Sequence, residues 1–182
     1  QLDAITDWNP PGKAEPLLVV SGSCSPVTAA QIAWAKANGF EEVILDAVSV
    51  GDNATFENSV AAANDYLRLQ KNVIVHTGDK KETNLSSEKL GTALGEIARQ
   101  MAEQHALKRV VIAGGDTSSY AARAMEIDAV EMMARLVRGA PLCKALSKNK
   151  AIDGLEVNFK GGQVGAENYF GILRNGRVGS RK

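Results

Sequence analysis

Four short apolar runs, each followed by a polar turn and a segment with helical spacing, constrain the fold of this chain more than any other feature. The runs are LLVVS at 17–21, EVILDA at 42–47, NVIVHT at 72–77 and RVVIAG at 109–114. Helical patterns follow over 26–38, 56–69, 90–105 and from Thr117 or Ser118 onward. Strands that are apolar along their whole length and alternate with helices indicate a parallel sheet buried on both faces. The sequence therefore predicts an α/β fold, mainly a parallel sheet with helices on both faces.

The pattern changes after residue 127. A Gly-Ala-Pro turn and the alternating segment LEVNF indicate two or three C-terminal strands, which we expect to extend the sheet in antiparallel fashion. The segment EMMARLV at 131–137 fits a short helix equally well. We expect a final short helix over 166–173.

The length of 182 residues suits one domain. The opening QLDAITDWNPPGKAEP is polar and contains a Pro-Pro-Gly turn, which is typical of a linker. We therefore expect 1–16 to connect a preceding domain to a domain over 17–173, with 174–182 as a polar tail. The alternative, a tag remnant, does not account for Trp8 or for the apolar Leu2 and Ile5.

Composition excludes some classes of partner. Lys plus Arg and Asp plus Glu number 21 each, so the chain has no net positive charge that would attract nucleic acid or an anionic membrane surface. The apolar runs are also far too short to cross a bilayer. We expect neither nucleic acid nor membrane as a partner. Two cysteines without a secretory signal predict reduced thiols in the cytoplasm.

The turn GGDTSS at 114–119 lies where parallel α/β proteins bind ligands, at the carboxyl end of a strand. Glycine lets a ligand approach the backbone, and the free N–H groups of a helix start suit a phosphate or a ribose. Gly114, Gly115 and Thr117 are therefore candidate contacts. Asp116 would repel a phosphate but fits a hydrated Mg²⁺ or ribose hydroxyls. The alternative is a tight turn in which Asp116 caps the helix.

The turn SGSCSP at 21–26 follows the first strand. Ser25 is best placed to cap the next helix, which leaves Ser23 as the better ligand candidate. Cys24 has no visible partner histidine, so we expect a small buried residue rather than a nucleophile.

Two other turns follow strands. Gly161 and Gly162 of KGGQVG at 160–165 could wrap a nucleotide or form an ordinary loop. His76 begins HTGDK at 76–80, and we expect a structural or solvent-facing role for it.

Several common sites are missing from the sequence. No G-x-x-x-x-G-K-[ST] phosphate loop is present, and no G-x-G-x-x-G follows a strand, which disfavours an NAD-dependent oxidoreductase. The two histidines have no Cys or acid at metal spacing, so we predict no metal site formed by the protein alone. No catalytic residue can be assigned.

Three motifs carry a resemblance to a known family. VVSGSCSPVTAAQIAWA at 19–35, VIAGGDTSSYAARAM at 111–125 and FKGGQVGAENYF at 159–170 resemble the C-terminal nucleotide-binding domain of the four-carbon acid sugar kinases. The resemblance covers 16–173. Many members have KSGNFG-like and GGET segments where this chain has KGGQVG and GGDT. The resemblance implies contacts to ATP from Ser23, from Gly114, Gly115, Asp116 and Thr117, and from Gly161 and Gly162.

The resemblance also implies a function. Members of that family are two-domain enzymes in which the N-terminal domain binds threonate, erythronate or oxo-tetronate and the C-terminal domain holds ATP. This chain would then be the ATP-binding domain of a Mg²⁺-dependent kinase that phosphorylates a hydroxyl of such an acid. Because phosphoryl transfer needs both domains, we expect the isolated chain to bind nucleotide weakly and to be inactive. The alternative is a non-catalytic nucleotide-binding or regulatory module, and a homo-oligomer is compatible with either.

Overall fold

The structure is a computed structural model that describes residues 10–46, 53–78 and 86–177. Its first part comprises β1 Leu18–Ser21, α1 Pro26–Ala37, β2 Phe40–Ile44, α2 Asn53–Arg68, β3 Asn72–His76, α3 Ser87–Gln104, β4 Arg109–Ala113 and α4 Gly115–Ala124. Then follow β5 Ala129–Val137, β6 Ala140–Leu146, β7 Glu156–Lys160 and α5 Tyr169–Asn175. The predicted end of the second strand at 47 and positions 79–80 of the third turn lie outside the described residues. None of the described helices has the length and hydropathy to cross a membrane.

The described strands form one sheet in the order β2-β3-β1-β4-β7-β6-β5. The first five of these run parallel to one another, and β6 and β5 are antiparallel additions beside β7. The predicted α/β class and its antiparallel C-terminal extension are confirmed. The antiparallel extension consists of β5 and β6 only, because most of LEVNF lies in β7, which is parallel to β4.

The ambiguous segment 131–137 lies in β5 and is not helical. A tight turn through Arg138 and Gly139 returns the chain into β6. The register with β6 shifts after Met132 and again after Ala134. Such irregularities interrupt the alternation of side chains between the two faces, so the sequence shows no simple period of two.

Two hydrophobic layers cover the sheet. On one face, α2, α3 and α4 pack on strand residues such as Leu18, Val20 and Val110. On the other face, α1 and α5 pack on alternate residues such as Val19 and Val111. Both layers being apolar explains the uninterrupted hydrophobic runs of the parallel strands.

The neighbouring strands β1 and β4 lead into opposite layers. From β1 the chain enters α1 on one face, and from β4 it enters α4 on the other. A crevice therefore opens between the two strand ends, and such a topological switch point is where open α/β sheets bind ligands. At its base the N–H of Gly22 donates to the carbonyl of Ala113 at 2.9 Å.

The helices α3 and α4 are in backbone contact. A Cβ on Gly91 would lie 2.6 Å from the carbonyl oxygen of Thr117, and one on Gly95 would collide with the carbonyl of Ala121. Side chains at these two positions would push the helices apart. The glycines of α3 therefore fix where the first turn of α4 lies.

A buried ion pair lies at the opposite end of the parallel strands, where β4 and β7 begin. Arg109 is fully buried, and its Nε donates to Oε2 of Glu156 at 2.7 Å. Its other nitrogens donate to the carbonyl oxygens of Leu173 and Gly12. The described part of the predicted linker, residues 10–16, thus lies against the start of β4 and the end of α5.

Candidate functional site: a cleft between three turns

The turns after β1 and β4 form the walls of a cleft at the crevice. The cavity has a volume of about 370 Å³ and is lined by residues 22–25, residues 114–117, and Ser87 and Leu90 of α3. Sequence reasoning missed the two α3 residues, because nothing local places the start of a helix beside turns that are distant in sequence.

The turn after β7 lies beside the same cleft. A Cβ on Gly162 would be 2.9 Å from Oγ of Ser23, so this position tolerates no side chain without displacement. Gly161 has room for one, because its nearest neighbour would be a Val164 methyl at 3.5 Å. Gly162 thus lies next to the predicted residues of the turn after β1, and Gly161 is its neighbour in the chain.

The two glycines that start α4 differ in their surroundings. Gly114 has φ +139°, and a Cβ there would collide with Oγ1 of Thr117. The backbone and the packing therefore both require glycine at this position. A Cβ on Gly115 would meet no atom within 4 Å. Nothing in the fold requires glycine at 115, and the space above it is open to the cleft.

The hydroxyl groups of the first turn of α4 face inward. Thr117 is buried, and its Oγ1 donates to the carbonyl of Gly114 at 3.4 Å. Ser118 Oγ donates to the same carbonyl. The donors of this turn that remain available are therefore the backbone N–H groups of residues 115–117, which have no intrahelical acceptor and no side-chain cap, whereas the N–H of Ser118 donates to Gly114.

Asp116 does not cap α4, so the capping interpretation was wrong. The helix begins at Gly115, with Gly114 as its N-cap, and Asp116 is already within the first turn. Its side chain is exposed at the cleft. Among the described residues, no group of three or more His, Cys, Asp or Glu could hold a metal ion.

The turn after β1 confirms one prediction and corrects another. Ser25 is the N-cap of α1, and its Oγ accepts from the N–H of Thr28 at 3.1 Å. Cys24 is exposed and lines the cleft, so the expectation of a buried residue was wrong. Ser23 is half-buried, and its Oγ accepts from the N–H of Ser25 at 3.3 Å.

A second cavity of about 330 Å³ adjoins the first at Ser23 and Cys24. His76 lies in its wall, where Nδ1 accepts from the N–H of Gly78 at 3.0 Å. This fixes the proton on Nε2, which lies 2.8 Å from Oε1 of Glu42. Lys36 pairs with the same carboxylate at 2.6 Å and, together with His76, lowers the pKa of Glu42. His76 is therefore buried and paired, as expected of a structural histidine.

Comparison with known protein families identifies the domain. The family model described as "Nucleotide-binding C-terminal domain" matches residues 18–170. The chain belongs to this family. The match includes all three glycine-bearing turns of the cleft and ends inside α5.

Curated relatives of the domain are sugar-acid kinases. The chain is 40% identical over 183 aligned positions to 3-oxo-isoapionate kinase of Paraburkholderia graminis, covering 89% of this chain and 39% of that protein. It is 25% identical to 3-oxo-tetronate kinase of Brucella melitensis, covering 84% of this chain and 36% of that protein. The resemblance to the C-terminal domain of the four-carbon acid sugar kinases is confirmed. The chain spans less than two fifths of the length of either relative.

A solved structure shares the fold of the domain. It is a domain of unknown function from Bordetella bronchiseptica, described as a domain-swapped dimer with bound citrate. The TM-score is 0.76 at 20% identity, over 91% of this chain and 42% of that one.

Proposed function

We propose that the cleft binds ATP and that this chain is the ATP-binding domain of a kinase for a four-carbon sugar acid of the threonate, erythronate or oxo-tetronate type. One observation carries the proposal. The uncapped N–H groups that start α4 lie in a crevice where Gly115 leaves open space. Such a helix start attracts phosphate, with about 0.3–1 kcal/mol from the helix dipole alone. Ser23 lines the same cleft and Gly162 lies against Ser23, so the proposed contacts include Ser23, Gly161 and Gly162.

Mg²⁺ fits this site as a partner of ATP rather than as an ion held by the protein alone. Asp116 supplies a single exposed carboxylate beside the N–H groups of α4. Protein-bound Mg²⁺ commonly combines one or two carboxylates with waters and phosphate oxygens. Asp116 would hold the ion, whose chemistry is to offset the negative charge of the phosphates.

The sugar acid and its reactive hydroxyl would be bound outside this chain. The kinase names of the relatives make 3-oxo-tetronate and 3-oxo-isoapionate the first acids to test. We expect the full-length protein to phosphorylate one of them with ATP and the isolated chain to show no appreciable turnover. Full-length protein that binds ATP but transfers no phosphate to any such acid would favour the non-catalytic module. Cytoplasmic location and a homo-oligomer stay predictions, the latter testable by gel filtration.

Thermal unfolding with ATP, ADP or NAD, each with and without Mg²⁺, tests the nucleotide site directly. Ligand at 100 times its Kd adds about 2.7 kcal/mol to the free energy of unfolding. We expect ATP and ADP to raise the Tm and NAD not to. Gly115→Val should abolish the shift by filling the open space, whereas Ser119→Val, on the exposed side of α4, should retain it. No shift with ATP or ADP would contradict the proposal.

A further inference from the structure

Lys160, the last residue of β7, has a buried ammonium group. The residue is 1% exposed. Its Nζ donates to Oγ1 of Thr28 at 2.8 Å and to the carbonyl oxygens of Gly161 and Gly162 at 3.0 and 3.3 Å. The three ammonium hydrogens therefore have three acceptors, and all three acceptors are uncharged.

No carboxylate balances this charge within the described part of the chain. The groups that face Nζ are neutral: Thr28 from α1, the ring of Tyr169 from α5 at 5.6 Å, and the two glycine carbonyls. A buried cation without a counter-charge loses hydration that hydrogen bonds replace only in part. Burial accordingly lowers the pKa of Lys160 to about 8. An anion bound nearby would offset that loss.

Lys160 also connects the three turns of the cleft. Its own carbonyl accepts from the N–H of Gly114 at 2.9 Å. Its ammonium shares the carbonyl of Gly162 with the hydroxyls of Thr28 and Ser25, at the start of α1. The turn after β4, the turn after β7 and the start of α1 are therefore held by one residue.

We propose that Lys160 is a positioning residue for the nucleotide. It fixes the three turns, and its unbalanced positive charge makes ligands with more negative phosphate charge bind more tightly. This inference rests on the proposed function, because it requires phosphates in the cleft. All three ammonium hydrogens of Lys160 have acceptors within the protein, so Lys160 need not touch the ligand. It acts on the ligand through Gly162, which packs against Ser23.

The test compares the Kd values of AMP and ATP for the wild-type chain and Lys160→Met with Mg²⁺ removed by a chelator, so that ATP keeps its extra negative charge. Loss of a nearby positive charge should weaken ATP binding by about tenfold or more, and AMP binding by less. The ratio of the Kd for AMP to the Kd for ATP should therefore fall toward one. A residue with only a structural role would weaken both ligands alike and leave the ratio unchanged. Lys160→Arg should retain the ratio.

Thr28→Val is the matched control, because it removes a hydroxyl from the same network and keeps the ammonium. It should weaken AMP and ATP equally. The wild-type chain supplies a measurement that no folding defect can obscure. Between about pH 7.5 and 9.5, where nucleotide phosphates stay ionised, its preference for ATP over AMP should decrease.

The outcomes separate the two proposals. Wild-type chain that binds neither nucleotide overturns the proposed function and this inference with it. Wild-type chain that binds both, with a Kd ratio unaffected by Lys160→Met, overturns the inference alone. If Lys160→Met does not fold, a pH-independent ratio in the wild-type chain overturns it.

Discussion

Oγ1 of Thr117 occupies the space that a Cβ on Gly114 would need, and it donates to the carbonyl of that same glycine. A Cβ on the neighbouring Gly115 would meet no atom within 4 Å. Two adjacent glycines thus meet different requirements. Gly114 is required by the fold, whereas Gly115 keeps the cleft open.

This difference predicts opposite responses to alanine. Gly114→Ala should destabilise the protein by about 1–3 kcal/mol or more, from the unfavourable φ and the collision with Thr117. Gly115→Ala, in the first turn of a helix, should leave stability unchanged or raise it by up to about 1 kcal/mol. Urea denaturation measures both. Equal losses in the two variants would contradict this account of the turn.

The exposed Cys24 offers a probe of the cleft. We expect a thiol reagent to modify Cys24 in the folded chain, and ATP to slow that reaction by covering the site. Cys143 is buried, and burial raises the pKa of its thiol, so it should react only on unfolding. Cys24→Ser should abolish the rapid phase. Modification at an unchanged rate under saturating ATP would show that the ligand lies elsewhere.

The buried pair of Arg109 and Glu156 should be important for stability and unimportant for the ligand. Glu156→Ala leaves a buried guanidinium without its counter-charge, which costs about 3–5 kcal/mol. The comparison is Glu96→Ala, which removes a partly exposed partner of Arg99 and should cost about 1 kcal/mol or less. Denaturant titration gives both values. Because the pair lies at the start of β4 and β7, away from the cleft at the other end of the strands, variants that still fold should keep the wild-type Kd for ATP.

Stability should depend on pH through Lys160. Its pKa is about 8 in the folded chain, below the value of about 10.4 expected when unfolded. Between these values the unfolded chain holds a proton that the folded chain has released, so the free energy of unfolding rises with pH. The stability of the wild-type chain relative to Lys160→Met should therefore increase from about pH 7.5 to 9.5. A pH-independent difference would contradict the burial of this charge.

Features encoded locally could be predicted from the sequence. Ser25 followed by Pro26 indicates a helix start, and Ser25 is the N-cap. The alternating strands and helices predicted the parallel sheet, and the topology of such sheets brings Ser23 and the turn 114–117 to one edge.

Features that depend on distant residues could not be predicted. Asp116 looked like a cap because its type favours that position, but the packing of Gly114 on Thr117 starts α4 earlier. Cys24 is exposed because two cavities meet there, and no local pattern encodes a cavity. Lys160 resembles a strand-end lysine facing solvent. Its burial depends on Thr28, which is 132 positions away along the chain.

The position of α1 and α4 in different hydrophobic layers gives the cleft a mechanical consequence. The sheet separates these layers, and each helix start reaches the crevice from its own side. A ligand bound there, as proposed, would contact both layers, which otherwise meet through the strands and through the turns that Lys160 connects. Displacing the start of either helix would therefore weaken binding even where the other helix stays in place.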